Sequence, residues 1–188
     1  MDALEALHNR VSVGKLTEPA PSESQRENIF RAALRAADHA GLRPWRFLQI
    51  EAEARRHLGE LLLRAAETEQ GGALDEAKRD KTLAMPLRAP LVLVAITRLQ
   101  SHPKVPHHEQ HLSTAGAVQA MLTAAYAQGI GAYWRTGPLA YNPLVAQGLG
   151  LAGNERIDGF IYLGTPAKSP RQPPDLATSS FFSHWKAP

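Results

Sequence analysis

The sequence predicts an α+β fold, a modest sheet flanked by helices, and three observations carry that prediction. Residues Pro90 to Thr97 form a continuous β-branched, apolar run of the kind found in a strand buried on both faces. Stretches with the 3.6-residue apolar period of helices lie between this run and the other strand candidates. The strand candidates are few and not adjacent in the chain, an order that places helices against a sheet rather than sheet against sheet.

Taken in order, Asp2 to Asn9 reads as a short helix with Leu4 and Leu7 on one face, and Arg10 to Pro21 as a loop. Ser22 to Gln25 is a capping-box signature, and the apolar stripe of Ile29, Ala33, Ala36 and Ala37 predicts a helix that runs until Gly41 stops it. Trp45 to Ile50 alternates with the period of a strand; Glu51 to Glu69 is an amphipathic helix carrying Leu58, Leu61, Leu62 and Ala65, ended by Gly71 and Gly72. Leu74 to about Met85 reads as helix. After a His- and Pro-rich loop, His108 to Gln128 is a long helix full of small residues, either the spine of the fold or a subunit interface. Gly129 and Gly131 mark a turn into a strand at Ala132 to Arg135. Asn142 and Pro143 are an N-cap and first-turn signal for a helix to about Leu149, and Ile157 to Leu163 is the last strand. The tail ends in Phe181, Phe182 and Trp185, whose exposure would be unfavourable unless the tail packs on something, such as a second subunit.

Composition bounds the function. The 188 residues, 44% hydrophobic and 21% charged, suit one globular domain of residues 1–188. The formal charge of +3 is spread among interspersed acids and bases, as in Glu51 to Arg56, which argues against a nucleic-acid or anionic-membrane surface. The chain has no cysteine, so disulfides, thiolate metal sites and thiol chemistry are excluded. With no signal-peptide pattern and no apolar stretch of membrane-spanning length, a cytoplasmic protein is expected.

Two segments carry chemistry. Arg10, Ser12 and Lys15 offer a guanidinium, a hydroxyl and an ammonium to a phosphate, and Trp134, Arg135 and Thr136 offer a cation and a hydroxyl to a polar ring edge. Each also has a plainer reading: Arg10 and Ser12 as loop surface, Arg35 and His39 as cations at a helix carboxyl end, Trp45 and Trp134 as core aromatics. Among His102, His107, His108 and His111, helical spacing puts His107 and His111 on one face, but His108 and His111 are only three apart and the His-Glu-x-x-His pattern is absent, so no metal is assigned.

The chain resembles the FMN-dependent nitroreductases, in particular the compact bacterial NAD(P)H nitroreductases, along nearly its whole length. The resemblance rests on Asn9 to Ser12, Arg35 to His39, Pro44-Trp45, Lys104 to Pro106 with Glu109-Gln110, Ala127 to Gly129, Trp134 to Gly137 and Tyr162 to Pro166. It implies a mostly antiparallel sheet in an intertwined homodimer, with residues 167–188 as an arm on the partner subunit. It further implies that Arg10, Val11 and Ser12 hold the phosphate and ribityl chain of FMN, that Arg35 and His39 reach the cofactor from the partner, and that Trp134, Arg135 and Thr136 line the flavin. The stretch Ala124, Ala125, Tyr126, Ala127, Gln128 and Gly129 matches the family's nicotinamide-nucleotide region. Val11 and Lys15 stand where the family commonly has Arg, and Arg43 where it has Gln, which implies weaker FMN binding and an extra cation near the pocket. The implied activity is ping-pong reduction of a nitroaromatic, quinone or similar acceptor by NADH or NADPH. A flavin-storage protein without turnover, a reductase specialised for one metabolite, and a cofactor-free helical interaction protein stay open as alternatives.

Overall fold

The computed structural model describes residues 1–187. Four strands form an antiparallel sheet in the order β2 (Trp45–Glu51), β3 (Leu91–Arg98), β5 (Glu155–Pro166) and β4 (Gly131–Arg135), and a two-residue β1 (Leu16–Thr17) pairs antiparallel with Thr165 and Pro166. The expected doubly buried strand is β3: every residue from Leu91 to Thr97 is buried. Its odd members Leu91, Leu93 and Ala95 face one cluster, with Ile161 and Leu163 of β5, and its even members Val92, Val94 and Ile96 face the other, with Phe160 and Tyr162, as the two-residue period requires.

The first face is covered by α2 (Glu23–Ala33) and α5 (His107–Ala127), through Ile29, Ala33, Ala117, Val118 and Met121. The second is covered by α3 (Ala54–Gln70), through Leu58, Leu62 and Ala65, and by two short helices, α6 (Pro138–Tyr141) and α7 (Pro143–Gly148). The α1 helix (Ala3–Asn9) begins at Asp2, whose carboxylate accepts the Glu5 N–H, and α4 (Glu76–Leu83) begins at Asp75, which caps Lys78 N–H in the same way. The long α5 is thus a core helix: Ala117, Val118, Met121 and Ala125 are fully buried, while Leu112, Gly116 and Gln119 stay exposed. Among the described residues no helix is long and apolar enough to cross a membrane.

Several boundaries differ from the sequence expectation. The capping box at Ser22 forms with both reciprocal bonds, but α2 ends at Ala33, well before Gly41. Past Ala33 the stripe is not kept, since Ala36 is half-buried and Ala37 exposed, and Asp38 turns its carboxylate to the Arg43 N–H at 2.7 Å, a local bond that competes with helix; Ala40 and Arg43 adopt left-handed backbone. Arg35 and His39 therefore lie beyond the helix end, His39 opening a 3-10 turn (His39–Gly41). The segment read as a loop from Arg10 to Pro21 contains β1, too short for periodicity to reveal. β5 extends beyond Ile157 and Leu163 at both ends, and α6 went unpredicted.

Residues 167–187 add only a 3-10 turn (Thr178–Ser180), and Phe181, Phe182 and Trp185 are 70%, 77% and 84% exposed. The tail does not bury its aromatics within its own chain.

Candidate functional site

The loop after α1 is laid directly against β4. The Val13 N–H donates to the Ala132 carbonyl at 2.9 Å, and a β-carbon placed at Gly14 would lie 3.7 Å from the Tyr133 ring and 3.9 Å from an Arg135 guanidinium nitrogen. The two segments that carried chemistry in the sequence, 123 residues apart at Ser12 and Arg135, are thus brought together by a strand-edge contact. Within the loop Val11 is buried at 8% exposure, while Arg10 is half-buried and Ser12 exposed.

Strand alternation then sorts the β4 side chains. Trp134 goes to the α5 face, where it packs on the first core cluster, and Tyr133 and Arg135 go to the α3 face. There they border a cleft of about 370 Å³, within the usual range for a small-molecule site, walled by Leu62, Met85, Phe160 and Tyr162 and closed by Thr136 and the start of α6. The Arg135 guanidinium stacks on the Tyr133 ring, 4.1 Å from its centroid, and stands 5.6 Å from the Tyr162 ring centroid. Burial pushes the Tyr162 phenol above its ordinary pKa, against the opposing pull of Arg135 and Arg88, so the phenol is protonated at neutral pH.

Arg88 was missed by the sequence reading. It ends a 3-10 turn (Met85–Arg88) held between the buried prolines Pro86 and Pro90, and the Arg55 guanidinium fixes the next carbonyl, that of Ala89, at 2.7 Å. Arg88 borders both the cleft and a second groove, of about 430 Å³, formed with Gly14, Lys15 and Thr17. Its signal was the Pro86 and Pro90 pair bracketing a lone cation before a core strand, which has no meaning until the fold places it. Among the described residues none of Arg10, Lys15, Arg88 or Arg135 pairs with a carboxylate, and no acid lines either cavity.

The backbone under Trp134 is set by a β-bulge. Ile96 pairs with Ile157 and Ala95 with Gly159, which leaves Asp158 as the extra residue. The bulge turns the Asp158 carboxylate toward His111, whose Nδ1 is 2.7 Å away, and toward the Thr97 hydroxyl, which also contacts Thr114; the Asp158 carbonyl accepts the Trp134 indole N–H at 3.1 Å. Nothing in the sequence pattern marked this network.

The other expected residues lie elsewhere. His39 is 2.6 Å from Glu109 at the start of α5, and Arg35 is exposed just past α2; no bond within the chain ties either to the cleft among the described residues. The Ala124 to Gly129 stretch is the last turn of α5 and its cap. There Ala125 is fully buried, Gln128 bonds Asn28 and the Gln25 carbonyl, and Ala127 and Gly129 remain exposed. His102 accepts the Lys104 N–H, and no three metal-ligating side chains converge among the described residues.

Three comparisons bear on this arrangement. A family model described as "Nitroreductase family" matches residues 7–165. The Escherichia coli (strain K12) protein named "Putative NAD(P)H nitroreductase YdjA" is 43% identical over 169 residues, covering 88% of this chain and 89% of that protein. Among solved structures, a nitroreductase-like family protein from Bacillus cereus superposes with a TM-score of 0.85 at 24% identity, over 100% of this chain and 97% of that one. A Desulfovibrio desulfuricans protein described as "a putative nitroreductase in complex with fmn" superposes at 0.74 and 22% identity, over 100% and 99%; at these identities both speak for the fold.

Proposed function

Since the chain belongs to the nitroreductase family, we propose that it is an FMN-dependent oxidoreductase that draws on NADH or NADPH to reduce a nitroaromatic, quinone or similar acceptor. The observation that carries this reading is the Arg10–Lys15 loop bonded along β4 beside an aromatic-walled cleft whose cations lack carboxylate partners among the described residues. Such a donor set fits a flavin mononucleotide: hydroxyl and cationic donors for a phosphate, aromatic and aliphatic walls for a flat ring. Relatives named as NAD(P)H nitroreductases, and a fold neighbour solved with FMN, support the same reading.

FMN, when bound, would supply the hydride chemistry between a reduced nicotinamide and the acceptor. The chain's part is to bind and orient. Arg10 and Ser12 would hold the phosphate, and Arg135 and Thr136 would line the ring edge, where the Arg135 charge would favour the more negative, reduced state; Trp134, expected beside them, points to the opposite face of β4 and packs on the core. Donor and acceptor take the same open face in turn, so double-reciprocal plots at several acceptor concentrations are expected to run parallel; intersecting lines would reject the ping-pong order. The visible spectrum of the purified protein is expected to show flavin that bleaches under anaerobic NADH or NADPH. A spectrum that persists with both nucleotides would assign storage instead. Replacing Arg10 by Ala is expected to lower flavin retention about ten-fold or more, the scale of one charge-assisted bond, with the fold intact. A variant as yellow as the parent would remove Arg10 from the phosphate site.

The same reading makes the protein a cytoplasmic homodimer, with residues 167–188 as an arm on the partner and Arg35 and His39 reaching the partner's site. The exposed Phe181, Phe182 and Trp185 support it, since three large aromatics on one tail have an apolar surface to gain. Truncation before Phe181 is expected to shift the mass measured by light scattering at low concentration toward the monomer; an unchanged mass would sink the arm's role.

A further inference from the structure

We propose that Glu109 is the positioning residue for His39: its carboxylate holds the imidazole in the form that carries its proton on Nδ1, and so offers Nε2 to the cofactor site of the partner subunit. The Glu109 carboxylate lies 2.6 Å from Nδ1, and Nε2 makes no bond within the chain among the described residues. An ionised carboxylate can only accept, so the ring nitrogen that faces it is the donor. Nε2 is then the ring atom free to accept a hydrogen bond, or to take up a proton, from outside the chain. Glu109 stands in the first turn of α5, where the helix dipole favours a carboxylate in its charged, accepting state.

The segment that carries His39 is held in a conformation it would not adopt alone. Ala40 and Arg43 have left-handed backbone, φ +63° and +48°, which is strained for a residue with a β-carbon. Such backbone persists only where its surroundings fix it, and three bonds do so here. Asp38 accepts the Arg43 N–H at 2.7 Å, the Leu42 carbonyl accepts from the Gln100 amide at 3.0 Å, and the Pro44 carbonyl accepts the Arg98 N–H at 2.7 Å. Gln100 is gripped in turn by Gln110, which is 1% exposed and bonds both the N–H and the carbonyl of Gln100, at 2.9 and 2.8 Å. Glu109 and Gln110, adjacent on α5, thus hold the segment at His39 and at Leu42, while the His39 ring itself stays exposed. Strain fixed in this way gathers where a side chain must be presented in one orientation. The proposal rests on the reading that His39 reaches the partner's cofactor site, and it names the atom that makes the contact.

Full-length chains with ¹⁵N-labelled histidine are compared by imidazole NMR at about pH 9, where a histidine ring is neutral, and His39 is identified by the signal that His39→Ala loses. The parent is expected to show a protonated Nδ1 and a bare Nε2. Glu109→Ala and Glu109→Gln are expected to move the proton toward Nε2, the form a neutral imidazole prefers in water. Glu109→Gln keeps the size of the side chain, so the comparison stands even if Glu109→Ala misfolds. A parent ring protonated on Nε2, or variants that keep the parent's form, overturns the proposal. FMN binding, followed by flavin fluorescence, is expected to weaken about five- to ten-fold in Glu109→Ala and in His39→Ala, and no further in the double variant, since Glu109 acts through His39. Losses that add, or a Glu109→Ala protein that binds as the parent does while His39→Ala does not, overturn the proposal alone, because a carboxylate that merely steadies α5 acts independently of the ring. A His39→Ala protein that binds FMN as the parent does removes His39 from the cofactor site, and the proposal with it. Should the parent bind no flavin, the flavin reading fails by itself, and the NMR comparison, which uses none, sustains or overturns the Glu109 assignment.

Discussion

Gly159→Ala is expected to destabilise the fold by about 2–6 kcal/mol and to empty the flavin site with it, the sum of about 1–3 for a strained backbone and about 1–3 for an overpacked core. Gly159 has φ +144°, in the region that disfavours any side chain, and an added β-carbon would stand 2.3 Å from the Trp134 indole nitrogen and 2.7 Å from the Arg135 carbonyl oxygen. The indole cannot swing away freely, because its N–H is bonded to the Asp158 carbonyl, and the Arg135 oxygen belongs to the β4–β5 edge. Relief therefore moves β4 itself, and with it Arg135, Thr136 and the strand against which the Arg10–Lys15 loop lies. Gly153→Ala is the control. A β-carbon there meets nothing within 4 Å and its backbone is not left-handed, so it is expected to change stability by less than about 0.5 kcal/mol. Urea unfolding and flavin content of both variants test the argument. A Gly159→Ala protein as stable and as yellow as the parent would mean that the bulge relaxes without cost and does not position β4.

The sequence revealed the elements that declare themselves locally. The Ser22 capping box, the doubly buried run at Leu91 to Thr97 and the Asn142-Pro143 start each depend on neighbours in the chain, and each formed where expected. It also singled out Arg10, Ser12 and Arg135, because cations beside hydroxyls are visible as residue types. What brings them together is a single strand-edge bond between Val13 and Ala132, a tertiary fact with no local signature. The same holds for Arg88 and Tyr162. One reads as a cation between prolines and the other as a core aromatic, and only the packing of β5 under the 3-10 turn at Met85–Arg88 puts them on one cleft. The overlong α2 expectation failed for an opposite reason: Ala36 and Ala37 continued the apolar spacing on paper, yet Asp38 offers its own carboxylate to the backbone and competes with helix there.

Glu155→Gln is expected to cost about 2–4 kcal/mol at pH 7 and to remove much of the acid sensitivity of the fold. Arg46 on β2 reaches past β3 to bind both Glu155 oxygens at 2.7 Å, and one of those oxygens also accepts the Ala152 N–H at 3.0 Å. The Glu155 side chain is 7% exposed and that of Arg46 29%, so the loss falls below the about 3–5 kcal/mol typical of stranding a fully buried charge. The guanidinium hydrogen bonds, chiefly, hold the Glu155 carboxyl below its ordinary range despite the cost of burial. A carboxylate depressed in the folded state stabilises the fold above its unfolded value, about 4.3, and that contribution is lost as pH falls through the lower folded value. The parent is therefore expected to lose stability more steeply than Glu155→Gln between about pH 5 and pH 3, and the two should converge in acid. Urea unfolding at pH 7 and pH 3 measures the difference at both ends. A gap that is the same at both would trace the effect to the shape and packing of the substituted amide, and the ion pair between β2 and β5 would then contribute nothing through its charge.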